Sequence, residues 1–395
     1  MDNYLTALEP FLKFGNNFGF YPVDFKNDVR KGGLKFTCLG IVRSFTVLGI
    51  LCGMIILIVK NHITFLSENQ PFLGLLVWSW FLLFLYPVMV IQLGLHVRNT
   101  SNIHRFFKLM DEIDGKLRKL FIKIDHRQYR KVILRATILA VVTLFARLIT
   151  SLTFEIVNSE HFKTKANMIV SEVCYGCFLF YETFFILQFI FVAYLLRERF
   201  NLLKDLLRYN MNFLTMLKPK KQKFRSRYEN FSESFFNINL YGDVFHDICD
   251  SIESINILFT IHLIPILLSM LVVDVFGIYA LFQNFPLMQS LFYNIMTLYY
   301  VSKHFILRVL VAHIGATATR EPEKLIEMIA KLVNKLSSIH PLRHSLCDLM
   351  KQFQTRNLKL QAMFLTVNWN IVLGTISTTV TYLIIICQFQ QSASI

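Results

Sequence analysis

The chain has 395 residues, of which 54% are apolar and 14% aromatic but only 17% charged. Soluble domains carry roughly 25% charged residues and hold their apolar ones in stripes; here they come in long runs, which argues against two or three soluble domains. The net charge of +15 allows nucleic acid, anionic lipid or cytoplasmic loops as its partner until its position along the chain is known.

Met1 to Pro10 carries Asp2 and Glu9 and no cleavable apolar core, so no signal peptide is expected. Tyr4 to Tyr21 is aromatic and amphipathic, suited to lie on a membrane surface or re-enter it. A helix needs about 20 mostly apolar residues to cross a bilayer, and seven runs qualify. They are Phe36–Val59 with Arg43 at one end, Phe72–Val97 with a kink expected at Pro87, and Ala136–Phe154 with Arg147. Ala166–Leu196 follows with Glu172 and Glu182, then Ser254–Phe285 with Asp274, an uncharged run from Pro286 to Ser302, and Leu360–Gln390.

Seven spans put alternate loops on opposite sides. Residues 1–35, 98–131, 197–227 and 314–359 share a side and hold 5, 10, 10 and 8 Lys or Arg; the other side holds Lys60, Lys163 and Lys165. Cytoplasmic loops are the basic ones, so the reading is an intracellular N-terminus and an extracellular C-terminus. The positive charge is then cytoplasmic surface, and nucleic acid is not needed to explain it. The sequons at Asn99 and Asn230 fall on the inner side and stay unmodified.

The inner segments are long and helical in pattern. The fourth span has no stop at the membrane and is expected to run on to Leu217; the run Lys220 to Arg227 reads as a solvated loop. A new helix is expected at Thr319, with Pro322 early and Glu321 and Glu323 in its first turn. Its stripe of Leu325, Ile326, Ile329, Leu332, Val333 and Leu336 needs neighbouring helices, within one subunit or between subunits. Of seven Cys, Cys174 and Cys177 form a CxxC without a second pair or a nearby His, which reads as a helix face and not a zinc site. No metal, cofactor or catalytic constellation stands out.

In the last span, Gly374, Thr378, Thr381, Ile385 and Gln388 recur at steps of four and three, on one helix face; Tyr382, Ile386 and Phe389 lie opposite. Small and hydroxylated residues at this spacing let two helices of one subunit pack closely. Alternatively, several copies surround an axis, hydroxyls line a wet path, and Ile385 closes it by dewetting.

Thr381-Tyr382, five apolar residues and Gln388-Phe389 resemble in full the nine-residue signature near the end of the last helix of insect gustatory receptors. Length and topology extend the resemblance over most of the chain. It implies an all-α integral membrane protein of seven transmembrane helices, forming with other copies or relatives a tetrameric, non-selective cation channel in the plasma membrane, gated by a small-molecule tastant. It implies three regions: 1–313 with helices one to six and an extracellular-facing ligand pocket, 314–359 as an intracellular helical anchor domain, and 360–395 as the pore-lining helix with a short tail. By position in the motif, Gln388 and Ile385 form the outer constriction. Short length leans the ligand toward plant secondary or bitter compounds, with sugars open. An odorant-receptor-like channel subunit is the near alternative; a seven-helix receptor without a pore is the remote one, since its N-terminus would be outside.

Ionisable residues inside spans are functional candidates. Arg147, Glu172, Glu182 and Asp274 either build the pocket or pair among themselves, with Arg147 to Glu182 or to Asp274 as the expected packing pairs. Trp78, Trp80, Tyr175, Tyr279 and Tyr293, with Gln289 and Asn294, supply aromatics and polar anchors at similar depth, although any one aromatic is more often core or lipid-facing.

Overall fold

The computed structural model describes residues 4–17, 100–122, 124–158, 162–216, 238–282, 291–336, 341–356 and 358–393, with 23–24, 35–36 and scattered positions between 40 and 98. Most of the first two expected spans lies outside the described residues. The described helices are α1 Tyr4–Asn17, α2 Thr100–Lys119, α3 His126–Asn158, α4 Phe162–Met216, α5 Ile238–Phe282, α6 Leu291–Lys335, α7 Pro341–Thr355 and α8 Trp369–Ala393. Two short antiparallel pairs accompany them, β1 (Val23–Asp24) with β2 (Lys35–Phe36), and β3 (Gln361–Ala362) with β4 (Leu365–Thr366).

Helix starts follow local chemistry. Asp125 Oδ1 accepts the N–H groups of Arg127 and Gln128 at 3.1 and 3.3 Å, capping α3. Asn368 Oδ1 accepts the N–H of Asn370 at 2.9 Å, capping α8. Pro341 opens α7, where its missing N–H is no loss.

Helices α3, α4, α5, α6 and α8 are long and apolar enough to cross a membrane, and they cover the third to seventh expected spans. At 55 residues α4 is about 80 Å long, well beyond the ~30 Å hydrocarbon core. The fourth span therefore runs on as expected. Two boundaries differ from the sequence reading. No helix starts at Thr319: α6 is continuous through Pro322, and Glu321, which resembles a first-turn acid, instead pairs with Lys204 of α4 and with Lys324. The seventh span starts its helix at Trp369 and not at Leu360, because 360–367 fold back as a hairpin.

Beyond the apolar spans, α2, α4, α5, α6 and α7 form a bundle. Leu325, Ile329, Leu332 and Val333 are buried in it within the single subunit, as are Leu346, Leu349 and Phe353 of α7. Phe353 stacks on Phe245 with centroids 3.4 Å apart, and Phe245 meets Phe200 edge-on at 6.0 Å. A fully buried ion pair holds α2 to α4: Arg199 Nε and Nη2 donate to Asp114 Oδ1 and Oδ2 at 3.1 and 3.0 Å, and the guanidinium lies 5.6 Å over the Tyr129 ring of α3.

The N-terminal helix α1 packs one face against α3 and α4. Ala7, Leu8, Phe11 and Leu12 are buried. Phe11 stacks on Phe184 at 4.5 Å and meets Phe191 edge-on at 5.1 Å, and Phe14 reaches Phe180. Arg43 Nη1 donates to the Asn16 carbonyl at 3.1 Å, placing a cation where the helix dipole is negative.

Candidate functional site

Helix α8 touches its own subunit along one narrow face. Val372 and Thr379 are buried against α5 and α6, and Ile386, two turns on from Thr379, is half-buried. Leu373, Val380, Tyr382, Ile384, Ile385 and Phe389 are exposed, and so are Gly374, Thr381 and Gln388. Among the described residues, its own helix backbone aside, no heavy atom approaches within 4 Å of a Cβ built on Gly374. Among the described residues the stripe is thus open at Gly374, Thr381 and Ile385, whereas Thr378 is half-buried. Thr378 and Thr381 donate their hydroxyls to the carbonyls of Gly374 and Ser377 at 2.8 and 2.9 Å. Their hydrogens are committed to the helix, and their oxygens present lone pairs.

The hairpin before α8 is clamped from both sides. Asn256 Nδ2 donates to the Lys359 carbonyl at 3.0 Å, and its Oδ1 accepts the N–H of Gln361 at 2.8 Å. Thr260 Oγ1 accepts the N–H of Met363 at 3.1 Å. Gly315 of α6 lies against Val367.

The intramembrane charges form three separate pairs. Arg147 Nη2 donates to Glu172 Oε2 at 2.8 Å, joining α3 to α4, and its guanidinium lies 4.9 Å over the Tyr300 ring of α6. Glu182 is buried with His304 Nε2 at 3.1 Å, Ser269 Oγ at 3.2 Å and Lys303 Nζ at 3.5 Å, joining α4, α5 and α6. Arg308 Nη1 donates to Asp274 Oδ2 at 2.6 Å, joining α5 to α6. The expected pairing of Arg147 with Glu182 or Asp274 is therefore corrected to Glu172. A buried carboxylate in an apolar layer persists when a cation is within reach, and each of these three has one.

The residues that sequence reasoning missed are Lys303, His304 and Arg308. The sixth apolar run ends at Ser302, and a span bounded by its first charge leaves out the helical turns beyond it. The signal was present: Glu182 and Asp274 needed cations, and the next turns of the sixth helix carry them. Among the aromatic candidates, Tyr279 is buried and Asn294 half-buried near the start of α6. Trp78, Trp80 and Gln289 lie outside the described residues, as do the side chains of Tyr175 and Tyr293.

The model of a family described as 7tm Chemosensory receptor matches residues 8–393, nearly the whole chain. The protein belongs to that family. Among solved structures, this chemosensory receptor is similar to the insect olfactory receptor OR5 from Machilis hrabei, determined in complex with eugenol, at a TM-score of 0.65 and 11% identity over 98% of this chain and 100% of that one. At that identity the likeness shows the fold alone, that of an all-α multi-pass membrane protein. No curated protein sequence matches the chain. In this chemosensory receptor the least enclosed of the three pairs is Arg147 with Glu172, whose carboxylate side chain is 24% exposed; the Glu182 and Asp274 side chains are 1% and 7% exposed.

Proposed function

We propose that this chemosensory receptor is one subunit of a ligand-gated, weakly selective cation channel in the plasma membrane, with a cytoplasmic N-terminus and an extracellular C-terminus. The observation that carries the reading is α8. Along its stripe Gly374, Thr381, Ile385 and Gln388 are exposed on their own subunit and Thr378 is half-buried, and hydroxyl oxygens turned to lipid would be costly. Four copies around an axis give that face water, with Thr378 and Thr381 lining the path and Ile385 and Gln388 at its outer constriction. The hydroxyl lone pairs favour cations, and no carboxylate ring is present on the stripe to select divalent ions. Residues 314–359 act as the anchor domain and 360–395 as the pore region with its leading hairpin.

The ligand is a small molecule entering from outside among α3, α4, α5 and α6. Arg147, Glu172 and Tyr300 offer a cation, a partly exposed carboxylate and an aromatic face, suited to a hydroxylated tastant, a plant secondary compound or a sugar. Asp274 and Glu182 hold helices in place beneath it. Ligand opens the pore by binding the open arrangement more tightly, which shifts the population of states. The Thr381-Tyr382…Gln388-Phe389 motif supports taste; the likeness to a receptor solved with eugenol supports a second reading, an odorant-like phenol as ligand.

The test is expression in a cell line, screened by calcium imaging with sugars, alkaloids and phenolic volatiles, then whole-cell recording. Gln388→Ala should alter relative cation permeability, and Ile385→Ala should raise the current without ligand. Surface-expressed Gln388→Ala and Ile385→Ala receptors with unaltered permeation and gating would sink the pore assignment.

A further inference from the structure

We propose that the start of α3 is a binding site for an anionic phospholipid of the inner leaflet. Lys131, Arg135, Ile138, Val142, Phe145 and Ile149 succeed one another at steps of four, three, four, three and four, so they share one face of the helix. All six are exposed. The opposite face of α3, with Ile133, Thr137, Leu144 and Arg147, is buried. The exposed face therefore reads as two cations and then a strip of apolar side chains.

The dimensions match one lipid. Ile138 to Ile149 spans eleven residues, about 16 Å of helix, and one leaflet of hydrocarbon is about 15 Å deep. Acyl chains laid along that strip put their phosphate at Arg135 and Lys131, one and two turns below the apolar boundary. The charge is unbalanced locally. From His126 to Arg135 there are four Lys or Arg and no carboxylate, and the next acid on α3 is Glu155. Arg130 turns to Glu9 of α1 at 3.7 Å, whereas Lys131 and Arg135 meet no carboxylate among the described residues. An arginine fork and a lysine point charge one turn apart suit the oxygens of a phosphate, above all a headgroup carrying more than one negative charge. Anionic lipid is concentrated on the cytoplasmic side, where this end of α3 lies in the proposed orientation, and the assignment rests on that orientation.

The experiment uses the full-length assembled receptor in detergent, titrated with short-chain phosphatidylinositol bisphosphate, phosphatidylcholine of the same chain length, and free inositol trisphosphate. The bisphosphate lipid should bind with an affinity that falls as salt rises. Lys131→Gln with Arg135→Gln should weaken it about thirtyfold, and Lys131→Arg with Arg135→Lys should retain it, which keeps the test valid if the glutamine variant assembles poorly. Arg118→Gln with Lys119→Gln, exposed cations on α2, should leave it unchanged. Equal binding by wild type and the Lys131/Arg135 glutamine variant would overturn the site, as would equal loss in the α2 variant or equal binding of phosphatidylcholine. Binding of free inositol trisphosphate as tight as that of the lipid would reassign the site to a soluble phosphate. An epitope in the turn between α2 and α3 that reads from outside intact cells would overturn the orientation while leaving the binding result intact.

Discussion

Gly315 of α6 and Val367 at the end of the hairpin are in such close contact that a Cβ on Gly315 would lie 2.2 Å from the Val367 carbonyl oxygen and 2.6 Å from its Cγ1. The obstacle is backbone, so a methyl cannot be accommodated by a side-chain rotation. Gly315→Ala should displace the hairpin from α6 and destabilise the subunit by about 1–3 kcal/mol, the usual range for overpacking. Gly374→Ala, whose new methyl meets nothing within 4 Å among the described residues, its own helix backbone aside, should leave subunit stability unchanged. Thermal unfolding of the two purified variants, tracked by size-exclusion fluorescence, compares them directly; equal melting would show that the Gly315 contact is not tight in the assembled receptor.

The same hairpin depends on Asn256, which both donates to Lys359 and accepts from Gln361. Asn256→Leu removes both bonds and leaves a backbone N–H and C=O unsatisfied at the base of α8, whereas Asn256→Asp keeps the acceptor and loses the donor. The leucine variant should reduce ligand-evoked current more than the aspartate variant at matched surface density. Whole-cell recording with surface biotinylation gives the order, and the reverse order would mean that this ladder does not position α8.

Asp114 and Arg199 are each fully buried and bonded at two points. Removing one partner strands the other charge, at a cost of about 3–5 kcal/mol. Asp114→Leu should lower the yield of folded receptor sharply, and so should Arg199→Met. The double variant Asp114→Leu with Arg199→Met should recover much of the loss, because it leaves no buried ion. Yield and melting temperature of the four proteins form a double-mutant cycle; additive losses would remove the pair from the list of structural anchors.

Glu172 and Glu182 are both carboxylates of α4, ten residues apart, but in different surroundings. Glu172→Gln should shift the concentration of ligand needed for half-maximal response by threefold or more, by analogy with the loss of one charge-assisted hydrogen bond, with surface expression kept. Glu182→Gln, which strands Lys303 beside a neutral amide, should reduce surface expression with little shift for the receptors that arrive. Dose-response curves and surface labelling separate the two. An unshifted curve for Glu172→Gln would turn its pair with Arg147 into a packing element like the others.

The sequence was most informative where one helix alone bears the pattern. The fourth span's continuation through Arg197, the amphipathic N-terminal segment and the stripe from Gly374 to Gln388 were all visible, because periodicity along one helix is a local property. Partnership was not visible. The sequence offered Arg147 either Glu182 or Asp274 and the structure gives it Glu172, a choice that depends on how α3, α4 and α5 rotate against one another. Lys303, His304 and Arg308 escaped notice because a hydropathy run stops at the first charge, whereas a helix does not.

The amino-acid order by itself determined a membrane protein, the places of its apolar runs and the chemistry of its last helix, since the cost of apolar surface in water and of charge in lipid is set residue by residue. The tertiary structure decided which charges neutralise each other, that α1 packs one face against α4, and that residues 360–367 turn back under α8 and do not extend it. Those outcomes are settled by contacts between segments a hundred residues apart, such as Asn256 with Gln361, whose free energies no local window of sequence contains.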